Sequence, residues 1–176
     1  CGSKLCTECN HTPQERVLSK KGPYRVLDTN VCLHQTDLIE DPAFGGDVVL
    51  LQTVLEETRH RSMTIYNRIY KIINDRSRGW HVFSNEHHAE TYVERERKET
   101  PNDRNDRAIR VATRWYETHL EGKVKVLMIS DDQANREYAE SAGIQSVSMR
   151  QYVTKHIPAG PDQARLLDLL ASPDDG

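Results

Sequence analysis

Two short apolar runs in this chain stop abruptly on acids. Tyr24-Arg25-Val26-Leu27 runs into Asp28, and Val126-Leu127-Met128-Ile129 runs through Ser130 into Asp131 and Asp132. Between them, Val48-Val49-Leu50-Leu51 is followed by Glu56 and Glu57. Short apolar runs bounded by turn signals read as buried strands. In an open α/β sheet, ligands bind just beyond the carboxyl ends of the parallel strands. Three strands here bring carboxylates to that one edge. Gathered carboxylates repel one another unless a metal or shared protons hold them. A divalent-metal site is therefore the first functional expectation.

The rest of the pattern alternates strands and helices. Strands are expected at about 24–28, 47–51, 80–83, 123–130 and 144–147. Helices are expected near 30–39, over 53–75, from 101 to about 120, over 132–141 and over 161–171, with Met149–Lys155 beside the last strand. Leu55, Ile65, Tyr66, Ile69, Ile72 and Ile73 set the period of the long second helix. Pro101 opens the third, Asp103 lies in its first turn, and Gly122 stops it. The segment 85–100 is highly charged and weakly periodic, a loop or an exposed helix. Alternation of this kind implies a mostly parallel sheet covered on both faces, hence an α/β three-layer sandwich of about five strands.

A chain of 176 residues fits one domain with a short appendage. Residues 1–22 lack periodicity and read as an irregular arm, leaving 23–176 as the domain. The chain begins at Cys1 and reads as a piece of a longer protein. No run of about 18 apolar residues suggests a membrane span. The net charge of −3 gives no bulk positive field for nucleic acid, although acids awaiting metal would lower it.

Two-metal phosphodiester chemistry needs several carboxylates converging on hard cations such as Mg²⁺ or Mn²⁺. The candidates are Asp28, Glu57, Asp106 and Asp132, with Glu56, Asp103 and Asp131 as neighbours. Each acid taken alone is equally a helix cap or a first-turn residue. Cap and ligand are compatible roles, and coincidence at one sheet edge favours the ligand.

Cys1, Cys6 and Cys9 form a Cys-x₄-Cys-x₂-Cys arm, three of the four cysteines in the chain. Such crowding suits a structural zinc site better than a disulfide framework. A fourth ligand must come from elsewhere, and His11 is nearest in sequence. Cys32 sits in an apolar helix start and reads as core.

Arg104, Arg107, Arg110 and Arg114 form one stripe on the helix that carries Asp106. They are candidates for nucleic-acid phosphate contact, or equally a solvated face salted by the acids of 94–99. Trp80, Trp115 and Tyr116 read as core or interface. With 6% aromatic residues, extensive base stacking is not expected.

Asp28-Thr29-Asn30, Glu57, the string Asn102-Asp103-Arg104-Asn105-Asp106-Arg107-Ala108-Ile109-Arg110 and Asp132 together resemble a PIN domain. More narrowly they are similar to the N-terminal PIN domain of the RNase-II-like catalytic subunits of the eukaryotic RNA exosome. Ser84-Asn85-Glu86-His87-His88 and Glu90-Thr91-Tyr92-Val93 extend the likeness. The resemblance implies that Asp28, Glu57, Asp106 and Asp132 bind Mn²⁺ or Mg²⁺ and cleave single-stranded RNA endonucleolytically, with 5′-phosphate products. It also implies a histidine completing the cysteine motif at the end of a helix, here His119. Partners implied are the exosome core ring subunits, in the nucleus and also the cytoplasm, with further cold-shock, exonuclease and S1 domains beyond this stretch.

His119 follows Asp106 by thirteen residues, about 20 Å along a helix and nearly opposite in direction. A zinc held by His119 therefore cannot share the acid cluster. Two readings follow: a metal-dependent endoribonuclease, or a docking module that tethers a larger exonuclease to a ring-shaped complex.

Overall fold

The computed structural model describes residues 1–172; the expected domain end at residue 176 lies outside them. Strands β1 (Tyr24–Leu27), β2 (Val48–Leu51), β3 (Trp80–Phe83), β4 (Val126–Ile129) and β5 (Ser146–Val147) form one sheet in the order β3-β2-β1-β4-β5. Every pairing is parallel. All four residues of β1, β2 and β4 are buried, as strands covered on both faces require. The fold is thus the expected α/β class with five strands.

The strand order carries a consequence. The chain builds outward from β1 through β2 to β3, then crosses back to place β4 on the other side of β1. The switch point, where crossovers diverge and leave a crevice, lies between the carboxyl ends of β1 and β4. Leu27 pairs with Ile129 there, and the next residues are Asp28 and Ser130.

Helices α1 (Thr29–His34), α2 (Thr36–Glu40), α3 (Gln52–Arg61), α4 (Met63–Asn74), α5 (Pro101–His119), α6 (Gln133–Ser141), α7 (Met149–His156) and α8 (Pro161–Leu169) complete the fold. Two expected helices are each divided. The 53–75 helix breaks at Ser62, whose backbone is extended (φ −156°, ψ 103°). The Ser62 side chain accepts from Ile65 N and caps α4. Its hydroxyl offers the backbone an alternative to continuing the turn, which the apolar period did not register. The 30–39 helix divides at Gln35 (φ −106°, ψ 26°). The charged segment 88–100 is loop, apart from a 3₁₀ turn at Asn85–His87 before it. Strands β4 and β5 are shorter than expected.

The first 22 residues are irregular yet packed. Cys1, Cys6 and Leu18 join the hydrophobic core. Arg16 gathers the carbonyls of Ser3, Cys6 and Cys9 at 2.6–3.0 Å. The Tyr24 hydroxyl at the start of β1 donates to Ser19 O and meets Ser3 Oγ at 2.6 Å. Gly2 (φ +73°) comes close to the His81 ring, where a Cβ would stand 2.4 Å from it, so both its backbone and the space around it favour glycine. The arm therefore sits at the amino edge of the sheet, opposite the strand ends that carry the acids.

Candidate active site and candidate metal centre

The four expected acids come from four different elements. Asp28 follows β1, is 2% exposed, and N-caps α1 by accepting from Val31 N at 2.8 Å. Asp132 follows β4 and N-caps α6 by accepting from Asn135 N at 3.1 Å. Glu57 lies on α3, where Thr29 Oγ1 donates to it at 2.8 Å and Asn105 Nδ2 at 3.3 Å. Asp106 projects from α5. Cap and cluster member are thus the same residue at Asp28 and at Asp132.

Electrostatics ties the four together. Burial raises Asp28 to about 7, helped by the charges of Asp106 and Asp131 and opposed by hydrogen bonds from Ser130 and Val31. Burial raises Asp106 to about 6, helped by Asp132, Glu57 and Asp103 and opposed by Arg110. A carboxyl raised by other carboxyls has surplus negative charge around it, which a divalent cation would neutralise. The residue types fit such an ion, since all four donors are hard oxygens, although among the described residues their ligand atoms do not close to within 4.8 Å as the thiol group does.

The three neighbouring acids are engaged elsewhere. Glu56 accepts from Gln52 Nε2 at 2.8 Å on an exposed face. Asp103 pairs with Thr100, the N-cap of α5, at 2.7 Å. Asp131 accepts from Gln35 Nε2 at 3.0 Å and from Met149 N at 2.8 Å.

At the far end of α5 the arrangement is tighter. One ligand atom each from Cys1, Cys6, Cys9 and His119 lies within 4.8 Å of the others. His119 Nε2 stands 3.2 Å from Cys6 Sγ and 3.3 Å from Cys9 Sγ. Its Nδ1 faces Glu8 at 3.8 Å, the carboxylate partner common to metal-ligating histidines. Trp115 stacks on the His119 ring at 4.3 Å, and Phe83 stacks on Trp115 at 4.9 Å. The Tyr116 hydroxyl donates to Cys1 O at 2.9 Å. The Cys6 thiol falls to about 7: burial opposes this, but the Cys9 and Glu8 amides, His119 and Cys9 outweigh it. Three soft thiols and one imidazole fit a tetrahedral zinc. His11 lies outside this group.

The arginine stripe is largely committed. Arg104 forks onto Glu86 at 2.6 and 2.7 Å and also donates to Val93 O. Arg107 forks onto Glu99 at 2.7 and 2.8 Å. Arg110 donates to Asn135 Oδ1 at 2.6 Å and lies 5.2 Å over the Tyr138 ring. Thr29, Asn105 and Ser130 support the acids, yet sequence reasoning gave them no role. Their signal was adjacency: each sits within two residues of one of the four acids.

A family model for the PIN domain matches residues 25–150, most of the described chain. The chain belongs to the PIN domain family. This PIN domain is 42% identical over 187 residues to the human exosome complex exonuclease RRP44, covering 97% of the chain. It is 42% identical over 173 residues to RRP44 homolog A of Arabidopsis thaliana, covering 98%, and 35% identical over 181 residues to exosome complex exonuclease dis3 of Schizosaccharomyces pombe. The chain spans 18–19% of the length of these relatives. The solved PIN domain of T. brucei RRP44 superimposes with a TM-score of 0.78 at 29% identity, covering 95% of this chain and 96% of that one.

Proposed function

We propose that this PIN domain is a divalent-metal-dependent endoribonuclease that cuts single-stranded RNA within the exosome, in the nucleus and also in the cytoplasm. The electrostatic coupling of Asp28, Glu57, Asp106 and Asp132 beside the switch point carries the reading. Mn²⁺ or Mg²⁺, when bound, supplies positive charge to the phosphoryl oxygens and lowers the proton affinity of water. Asp28 and Asp132 are held rigid by the amides they cap. Thr29 and Asn105 orient Glu57. Asp106 gives up the proton that burial and its acidic neighbours favour. The products would carry 5′-phosphate and 3′-hydroxyl ends.

At the other end, Cys1, Cys6, Cys9 and His119 would hold a structural Zn²⁺ that fixes the arm. The packed arm favours a second role beside the first: docking onto exosome core ring subunits.

A circular single-stranded RNA tests the catalytic reading, because a circle has no ends for an exonuclease. The protein with Mn²⁺ should open the circle. Asp106→Asn should slow this at least about 100-fold, the loss of about 2.7 kcal/mol of transition-state stabilisation. An Asp106→Asn protein that opens circles as fast as the parent refutes the assignment.

A further inference from the structure

Two grooves flank the four acids, and they differ in what their side chains have left to offer. On the Glu57 side a cavity of about 590 Å³ is lined by Glu56, Glu57, Glu86, His60, Arg61 and Arg104, among others. Its guanidinium groups are spent: Arg104 is forked onto Glu86, while Arg61 lies 4.0 Å from Glu57 and donates to Asn30. Set against these two arginines are three carboxylates, Glu56, Glu57 and Glu86, of which Glu56 has no cationic partner among the described residues.

On the Asp132 side a cavity of about 440 Å³ runs between α1, the start of α7 and the segment 170–172. Its cations are Arg136, Arg150 and His34. Among the described residues none of the three is in an ion pair. Arg150 and His34 are exposed; Arg136 is half-buried, with Nη1 on Ser130 O at 2.7 Å.

Asp132, one of the four acids, also lines this groove, and the groove's other carboxylate and its glutamine are already satisfied. Gln35 donates to Asp131 and Ala171 O and accepts from Ala171 N. Both Asp131 oxygens accept hydrogen bonds. Ser148 caps α7. Little is left to read a base edge, whereas three cations are left to meet an anion.

We propose that this groove seats the phosphate backbone of the RNA strand on the Asp132 side of the cut, with Arg150 as the principal contact and Arg136 and His34 beside it. The inference rests on the RNA-cutting reading of the acids and adds the path of the strand. Contact with phosphate positions a strand without reading its sequence, so cutting should be tolerant of sequence. The stripe on α5 is then the lesser RNA contact.

Binding and cutting are measured separately. In the uncleaving Asp106→Asn background, affinity for short oligo(U) and oligo(A) strands is titrated against salt. Adding Arg150→Ala should weaken both strands about 5- to 10-fold and lower the salt slope by about 0.7 for the one lost phosphate contact. Arg150→Lys should recover most of the slope. Adding Arg104→Ala instead should change affinity less than about 2-fold. With Asp106 intact, Arg150→Ala should raise KM for the circle more than it lowers kcat. Unchanged affinity and slope in Arg150→Ala, or a loss confined to one base, overturns the proposal. A parent that binds RNA through Arg150 yet never opens the circle overturns the nuclease reading instead. Arg150 is exposed, and matched melting curves show that each variant is folded.

Discussion

The two ends of α5 present opposite kinds of ligand set. At the acid end, four carboxylates come from β1, α3, α5 and the cap of α6, and burial and mutual repulsion raise two of them. At the thiol end, three soft thiols and an imidazole already lie within 4.8 Å of one another, with one thiol lowered. An open, charge-frustrated group leaves room for substrate, as catalytic sites do. A closed, self-consistent group leaves none, as structural sites do. The same helix serves both because its ends lie at opposite edges of the sheet.

Removing a ligand at the thiol end should have the largest effect on folding. His119→Ala deletes a donor and the stack on Trp115, and should destabilise the domain by about 3–5 kcal/mol. Thermal melts of parent and variant, each with and without a zinc chelator, measure this. Chelation should lower the parent melting temperature and leave the variant unmoved. A parent indifferent to chelator would erase the contrast between the ends.

The acid end should respond to pH and to hard metal. Asp106 is raised in the folded state, so its stabilising contribution is complete below its ordinary value near 4. That contribution is lost as pH rises through about 6. Without divalent metal, and with the shift discounted for the partial exposure of Asp106, the parent should therefore lose about 1 kcal/mol against Asp106→Asn between pH 4 and pH 8. Saturating Mn²⁺ at pH 8 should restore the parent by about 2–3 kcal/mol and the variant by less. Equal melting of both proteins across pH and metal would mean that the acids do not act as a group.

The smallest expected effect concerns a supporting residue. Thr29→Val removes the hydroxyl that donates to Glu57 and should cost about 1 kcal/mol. Circle opening should slow several-fold, mainly in kcat. An unchanged rate would show that Glu57 needs no such orientation.

Much of this was legible in the chain because strand ends are legible. Leu27 to Asp28 and Ile129 to Asp132 change from apolar to acidic at the point where the strands stop, so both carboxylates were placed at one edge without coordinates. The switch point was not legible, since strand order depends on which buried strands pair. The break at Ser62 was hidden by apolar residues that keep helical spacing on both sides of it. Glu99, the partner of Arg107, was legible as one of the acids of 94–99. Glu86, the partner of Arg104, was hidden, because only the folded loop brings it back to α5. Arg136 and Arg150 carried no sequence signal, because each stands alone among ordinary helix residues.

Helix α5 also acts as a ruler. Asp106 and His119 are fixed to opposite edges by unrelated chemistries, so the spacing between them is set at both ends. Removing one residue from 107–118 would turn one end by about 100° and draw it in by about 1.5 Å. Either the acid or the imidazole would then miss its group. The exposed stretch 94–98 of the loop has no such constraint, and changes in its length should be absorbed there. Length variation should therefore be tolerated before Pro101 and rejected after Asp106, whatever the side chains involved.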